Sequence, residues 1–356
     1  MSQIWCVCKD AGGTAGMIPV VKALRSSGAN VVLFANGRAV EILGNAGEIF
    51  LSVTSVEAML QIGSPDVLVT SMCSQGGVGR DIVPRLPEYT KVVALQDYWG
   101  GYLWDNSAWQ DRQFRPTFII VNDSIGAELV VRAWPDFNPN NILKTGFPAL
   151  DRYVTYDVAA DAKLVRAALN VGENSRIVMY GGQWQKSAEM LGEIVRALNE
   201  ISDNSVYLIP RAHPSMAQNA PEEVPQWEKA IGSLLGGTLL DGSSFTTQQL
   251  LAASDVVLSM FSTILVESAT IRKQTISVLY PDVGLFMFRQ STGNSMDVPP
   301  VVSLGCSALA GSYEELLSYM RVALTDDLGL SPAQESNFCL DGQNAGRAAQ
   351  FILSLI

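Results

Sequence analysis

The sequence predicts an α/β protein of two doubly wound domains, each with a parallel sheet covered by helices on both faces. Three observations lead to this fold class. Short apolar runs alternate with helical patterns along the whole chain, which is typical of parallel sheets. A length of 356 residues favours two domains over one. A connector rich in glycine and proline lies near residue 146, where the first series of strands ends.

The first domain is predicted to span residues 1–150. Its expected strands are short buried runs at residues 4–8, 31–34, 67–70, 92–95 and 117–121. A glycine-rich turn after the first strand leads into a helix over residues 11–24. Cys6 and Cys8 share one face of the first strand, where we expect packed core thiols rather than metal ligands.

The second domain is predicted to span residues 151–338. Its expected strands lie at residues 176–180, 206–209, 238–240, 256–260 and 275–279. A long helix over residues 187–199 follows the first of them. Residues 339–356 carry a closing amphipathic helix, predicted to cross back to the first domain.

Composition narrows the class of protein. The chain is 48% hydrophobic and 17% charged, so it is globular rather than disordered. A net charge of −11 argues against nucleic acid as a partner and against broad attachment to anionic lipid. No apolar stretch approaches the ~20 residues that span a bilayer. With five scattered cysteines and no basic leader, we expect a cytoplasmic protein, and leave open a peripheral place at the inner membrane face.

Two aspartates and a glycine turn are the candidate functional residues of the first domain. Gly12 and Gly13 allow a ligand to approach the backbone at a helix start, with a tight turn as the alternative. Asp10 stands at the carboxyl end of a strand, where open α/β sheets bind ligands, and is a candidate general base. Its alternative role is helix capping. Asp97 ends another strand and is the second candidate base.

Aromatic residues surround Asp97 in the sequence. Tyr98, Trp99, Tyr102 and Trp104 suit stacking on a sugar or on a lipid-linked acceptor. Packing at the sheet edge is the alternative, and we favour it.

The single histidine of the chain, His213, comes directly after a predicted strand. An imidazole at a strand's carboxyl end is placed to contact phosphate, and Arg211, two residues earlier, adds a positive charge on the same face. Pro214 fixes the backbone of the next turn. The alternative is a hydrogen-bonded structural histidine. We predict that His213 and Arg211 contact the phosphate of a nucleotide, and that His213 has a catalytic role in stabilising the charge that builds on this phosphate as it leaves.

A second segment of the same domain also predicts phosphate binding. Ser262 and Thr263 stand at a helix start, whose N–H groups serve both N-capping and phosphate binding. Glu267 lies one turn later, where it can accept hydrogen bonds from a ribose diol, or form a surface salt bridge instead. Gln183 follows a Gly-Gly turn and is a further candidate for binding the same nucleotide. The sequence has no cluster of metal ligands, so we predict no metal.

At these residues the chain resembles the GT-B glycosyltransferases. The matching features are the Gly-rich turn at 12–16, the Gly-Phe-Pro-Ala-Leu-Asp connector at 146–151, the His-Pro pair, the Ser-Thr block at 254–267 and the terminal helix. In motif it is most similar to the capsule and sialic-acid-type transferases and to the CDP-glycerol glycerophosphotransferases. The resemblance implies two Rossmann-like domains that face each other across a cleft.

The resemblance also implies roles for residues. In such families the His-Pro histidine and the serine motif hold the phosphate of a cytidine nucleotide, which corresponds to His213, Ser262 and Thr263. A glutamate on this helix commonly binds the donor ribose, which corresponds to Glu267. A first-domain histidine that serves some relatives as base is missing here, so Asp10 or Asp97 takes that role.

We therefore expect a transferase that moves a sugar, or a similar group, from a CMP-, CDP- or UDP-linked donor to an acceptor hydroxyl. The acceptor is expected to be a saccharide or lipid-linked molecule of surface polysaccharide synthesis. We expect inversion at the donor carbon and no metal requirement. One alternative is a nucleotide-sugar 2-epimerase or hydrolase, although the motifs of the epimerases are absent from this sequence. The other is a non-catalytic nucleotide-sugar-binding protein. The oligomeric state stays open.

Overall fold

The structure is a computed structural model that describes residues 2–72, 76–103, 107–338 and 340–356. The chain divides into two compact units. Unit 1 comprises Met1–Val154, Arg289–Met296 and Leu340–Ile356. Unit 2 comprises Thr155–Phe288 and Asp297–Cys339.

The sheet of unit 1 is entirely parallel in the part that is described. Its strands are β1 (Gln3–Cys8), β2 (Asn30–Ala35), β3 (Leu51–Ser52), β4 (Val67–Ser71), β5 (Lys91–Leu95), β6 (Phe118–Val121) and β7 (Ile142–Lys144). They lie in the order β3-β2-β1-β4-β5-β6-β7. The order reverses between β1 and β4, and in doubly wound sheets ligands bind outside the carboxyl ends at such a switch point.

Unit 2 repeats this plan with a smaller parallel sheet. Its strands are β8 (Arg176–Gly181), β9 (Val206–Arg211), β10 (Thr238–Leu239), β11 (Val256–Ser259), β12 (Gln274–Val278) and β13 (Ala308–Ala310). They lie in the order β10-β9-β8-β11-β12-β13. The switch point is therefore between β8 and β11.

Helices connect the strands in both units. In chain order the α-helices of the described residues are α1 (Ala11–Ser26), α2 (Ala39–Asn45), α3 (Val56–Leu60), α4 (Val78–Asp81), α5 (Ser124–Ala133), α6 (Val158–Ala168), α7 (Ser187–Ile201), α8 (Met216–Asn219), α9 (Glu223–Gly232), α10 (Thr247–Ala253), α11 (Thr263–Thr270), α12 (Phe286–Ser291), α13 (Pro300–Ser303), α14 (Tyr313–Thr325), α15 (Ser331–Asn337) and α16 (Asn344–Leu353). Among them, none is both long enough and apolar enough to cross a membrane.

The predicted fold class is confirmed, and every apolar run predicted to be a strand is one, with ends shifted by at most two residues. The sequence did not reveal β3 and β13. They have two and three residues, and the sequence pattern does not distinguish them from the loops on either side.

The last helix belongs to the core of unit 1. Ile352 is buried and packs in one cluster with residues of β1 and α1, among them Met17. The Asp151 carboxylate accepts hydrogen bonds from the main-chain N–H groups of Asn344 (3.3 Å) and Ala345 (2.8 Å). The connector after β7 therefore caps α16, and unit 1 is completed by the end of the chain.

The two thiols of β1 are part of the same core. Cys6 and Cys8 are fully buried, as expected of packed core thiols. Burial raises the pKa of Cys6 to about 12, so this thiol stays protonated at neutral pH.

Candidate functional site

Asp10 caps the helix that follows the first strand. Its carboxylate accepts a hydrogen bond from the main-chain N–H of Gly13 (2.8 Å), and its own backbone is extended, as an N-cap requires. The capping role is thus present. It does not use up the carboxylate, since each carboxylate has two oxygens and about four acceptor positions.

A second carboxylate lies against the same turn. A Cβ atom added to Gly12 would stand 2.6 Å from Oδ2 of Asp97, so no larger residue fits there without displacing that side chain. Gly13 is equally crowded, by Ser71 at the end of β4. The two glycines therefore make room for protein side chains, and their contact with a ligand stays a prediction.

Burial and the closeness of Asp10 change the acidity of Asp97. Burial, and in second place the charge of Asp10, raise the pKa of Asp97 from an ordinary 3.8 to about 7. A general base works best when its pKa lies near the operating pH. Asp97 thus has the acidity of a base at neutral pH, on a pair of carboxylates at the carboxyl ends of β1 and β5.

The aromatic residues near Asp97 are mainly packing residues. Trp99 is buried and donates its indole N–H to Asp123 at 3.0 Å, while its ring meets Phe147 edge-on at 5.1 Å. Tyr102 is buried too, and its hydroxyl donates to the carbonyl of Gly126. The favoured packing interpretation is confirmed for these two. Trp104 lies outside the described residues.

Several of the buried polar atoms without a hydrogen-bond partner among the described residues lie at the carboxyl edges of the two sheets. Asn36 Oδ1, the Tyr98 hydroxyl and the Asn122 side-chain amide lie just after β2, β5 and β6. Gln183 Nε2 and the Tyr280 hydroxyl lie just after β8 and β12. Because buried polar groups in folded proteins are nearly always paired, water or a polar ligand would complete the hydrogen bonds of these atoms.

In unit 2, His213 follows β9 by two residues and is half-buried. Its Nδ1 accepts the main-chain N–H of Ser215 (3.2 Å) and lies 2.8 Å from the Ser215 hydroxyl. Because a backbone N–H only donates, Nδ1 carries no proton and the ring proton is on Nε2. The imidazole is therefore oriented as a donor through Nε2.

Arg211 ends β9 and is half-buried. One of its guanidinium nitrogens donates to the carbonyl of Phe245 at 3.5 Å, and burial lowers its pKa. Arginine still keeps its charge at neutral pH, so a positive charge lies on the strand that leads to His213.

Ser262 caps α11, with its hydroxyl accepting from the main-chain N–H of Ile264 (3.4 Å). The first turn of this helix lies against the end of β8, because a Cβ on Gly181 would come within 2.8 Å of Ile264. Thr263 opens the helix and Glu267 follows one turn later, half-buried. The predicted helix start thus exists and is packed directly on the switch point.

The phosphate-binding candidates lie on one edge but on strands that are not neighbours. Gly181 pairs with Arg211 on one side and with Ser259 on the other, so β8 lies between β9 and β11. Two strand spacings amount to about 10 Å. His213 and Ser262 therefore flank the turn after Gly181, and the side chain of Gln183 is buried in that turn.

A residue that sequence reasoning missed occupies the other helix start at this edge. The carboxylate of Glu223 accepts the main-chain N–H groups of Lys186 (2.7 Å), Ser187 (3.1 Å) and Ala188 (3.0 Å). The start of α7 is thus neutralised within the protein. This leaves α11 as the better candidate for a ligand phosphate.

The comparison with protein families decides the identity of this chain. The sequence profile of the CDP-glycerol:poly(glycerophosphate) glycerophosphotransferases matches residues 100–286, more than half of the chain. The chain belongs to this family. As a member it is a transferase, and the family is one of those that its motifs resemble. No curated protein sequence matches it significantly.

Solved structures show the same fold at low sequence identity. The MnaA–UDP structure of S. aureus has a TM-score of 0.73 and 14% identity, with 100% of this chain and 98% of that chain covered. A UDP-GlcNAc 2-epimerase of Neisseria meningitidis bound to UDP-GlcNAc has a TM-score of 0.70 and 12% identity, covering 99% and 100%. The wall teichoic acid polymerase TagF, soaked with CDPG, has a TM-score of 0.61 and 12% identity, covering 99% and 88%. The predicted GT-B fold is confirmed.

Proposed function

We propose that this member of the family transfers glycerophosphate from a CDP-glycerol-type donor to a hydroxyl group of a growing surface polymer. The observation that carries the proposal is the division of chemistry between two sheet edges. Unit 2 offers an oriented imidazole, a guanidinium and a helix start at its switch point. Unit 1 offers a carboxylate of near-neutral pKa at its own carboxyl edge.

The donor is assigned to unit 2. His213 through Nε2, Arg211 and the N–H groups at the start of α11 bind the phosphates, and Glu267 accepts hydrogen bonds from the ribose. Such fixed donors stabilise the negative charge that develops on the leaving phosphate, and they need no reorganisation during the reaction. We expect turnover to continue in EDTA, since these groups supply the charge that a metal would otherwise provide.

The acceptor is assigned to unit 1, with Asp97 as general base. Asp97 removes the proton of the acceptor hydroxyl, whose oxygen forms a bond to the glycerol-bearing phosphorus. The bond from that phosphorus to the bridging oxygen breaks, and CMP leaves with the electron pair. An in-line displacement of this kind inverts the attacked centre. Burial and, in second place, the charge of Asp10 keep the pKa of Asp97 high, so Asp10 acts as a positioning residue.

The nucleotide that is released tests the reaction. With CDP-glycerol and a glycerophosphate acceptor we expect CMP in equal amount to the lengthened acceptor. Release of a nucleoside diphosphate from a sugar donor would instead mean glycosyl transfer, and release of CMP without acceptor means hydrolysis.

Epimerisation is the second candidate, since the same fold occurs in UDP-GlcNAc 2-epimerases. It would be recognised by UDP-GlcNAc converted to its 2-epimer with no acceptor present. Nucleotide binding without any turnover, in the wild type and in Asp97→Ala alike, would identify a binding protein and refute the proposal.

A further inference from the structure

A small pocket at the switch point of unit 1 has no role in the chemistry described so far. It lies at the carboxyl ends of β1 and β4, and Lys9, Ser71 and Arg80 are among its lining residues. Ser71 also contacts Gly13, whose N–H is bound by Asp10. The pocket therefore adjoins the pair of carboxylates.

The lysine of this pocket is held in place by close contacts of its side-chain stem. Its stem lies against Gly77, where a Cβ atom would come within 2.7 Å of Lys9 Cδ, and its γ-carbon lies against Gly37. Both glycines have positive φ values, of 140° and 59°. In the ranges that the structure describes, no carboxylate forms an ion pair with Lys9. Lys9 as a residue is half-buried.

The arginine of the pocket is also fixed. Its side chain is only 15% exposed, and its guanidinium lies over the Phe114 ring, 4.9 Å from the centroid. It pairs with the neighbouring Asp81, with Nε at 2.8 Å from the carboxylate. Gly76, with φ of 66°, makes room for the guanidinium, since any Cβ there would overlap it. Of the two cations that line the pocket, Arg80 thus has Asp81 as its ion-pair partner.

We infer that Lys9 and Arg80 bind a phosphate ester of the acceptor, next to the hydroxyl group that reacts. A protein of net charge −11 repels an anionic polymer over most of its surface, so an anionic acceptor needs a local cationic site. Arginine and lysine are the side chains that bind phosphate best. Arginine forms two parallel hydrogen bonds to it, and lysine acts as a compact positive charge. The inference rests on the proposed function, because it assigns the substrate class of the same carboxyl edge.

Calorimetric titration of the full chain with sn-glycerol 3-phosphate tests this site, with glycerol as the uncharged comparison and CDP as the donor probe. Lys9→Met keeps the length of the side chain and removes its charge. We expect it to weaken glycerol 3-phosphate binding about tenfold or more and to leave CDP binding unchanged. Arg80→Gln, a second variant should the first not fold, is expected to act in the same way.

Lys22→Met is the matched control, because Lys22 lies on α1 with a side chain 61% exposed and pairs with Glu48. It should bind both ligands like the wild type. The inference is overturned if the wild type does not bind glycerol 3-phosphate, if Lys9→Met binds it normally, or if Lys9→Met loses CDP instead. Failure of the proposed function would give a different result, because the wild type would then not bind CDP.

Discussion

Asp97 and Asp10 are the residues on which the chemistry of unit 1 depends. They are 87 positions apart in the sequence, and only the strand order brings the ends of β1 and β5 to one edge. The sequence could name each as a candidate base because each ends a predicted strand. It could not show that they lie together, and so could not predict the raised pKa of Asp97.

The pH dependence of the rate follows from this pair. Asp97 must be ionised to accept a proton, so kcat/KM should fall about tenfold per unit as the pH drops below about 7. Asp10→Asn removes the like charge that helps to raise the pKa of Asp97, so the fall should move to lower pH. Initial rates from pH 5 to 9 measure both. An unchanged profile in the variant would exclude coupling of the two carboxylates.

The raised pKa of Asp97 should also affect the stability of the folded protein, and here the effect is unfavourable. Between pH 4 and 7 the folded protein keeps a proton on Asp97 that the unfolded chain, with its ordinary pKa of 3.8, gives up. Asp97 therefore lowers the free energy of unfolding as pH rises through this window. Asp97→Asn should unfold at a higher temperature than the wild type at pH 8 and at a similar temperature at pH 4, and we expect this variant to be inactive.

Lys9 and Glu223 show what the sequence hides at this scale. Lys9 stands beside Asp10 with nothing to distinguish it from a surface lysine until β4 and the glycines are placed around it. Glu223 sits in a polar stretch typical of an exposed helix start, yet it is buried and binds three N–H groups of another helix. Both depend on contacts distant in sequence.

At the scale of elements, the start of α11 depends on a glycine in the neighbouring strand. The sequence identified this helix because an apolar run, a Ser-Thr pair and an apolar helix pattern follow one another. It did not indicate that β8 would lie between the histidine and the helix, because strand order is not local information. Gly181 is what allows Ile264 to pack on β8.

Gly181→Ala should push the first turn of α11 away from the sheet. We expect a loss of about 1–3 kcal/mol in the free energy of unfolding and weaker donor binding. Gly192→Ala is the control, because Gly192 lies within α7 with open space where a Cβ would be, and this change should stabilise by up to about 1 kcal/mol. Urea unfolding and titration with CDP measure the two effects. Normal CDP binding by Gly181→Ala would show that the start of α11 does not bind the donor.

At the scale of the whole molecule, unit 1 is assembled from three stretches of the chain. The sequence predicted that the closing helix would return to the first domain, from its amphipathic pattern and its position. Nothing in the pattern indicated that Arg289–Met296 would lie there too, through contacts such as that of Arg132 with the carbonyl of Ser295 (2.6 Å). A short segment that leaves one unit and packs in the other produces no periodic pattern in the sequence.

Removing one core side chain from α16 should destabilise unit 1, although the helix comes last in the chain. Ile352 is fully buried, so Ile352→Ala should cost about 2–5 kcal/mol. Ile356, 48% exposed, is the control, and Ile356→Ala should change stability by less than about 0.5 kcal/mol. Equal midpoints for the two variants in chemical unfolding would mean that α16 does not complete the core.

The central claim is that His213 and the start of α11 hold the phosphates of one nucleotide, from opposite sides of the turn after β8. Calorimetric titration of CDP and of cytidine into the wild type, His213→Gln and Ser262→Ala tests it directly. We predict that each variant binds CDP about tenfold more weakly and binds cytidine like the wild type. Wild-type affinity for CDP in both variants, or an equal loss of cytidine, would contradict the claim.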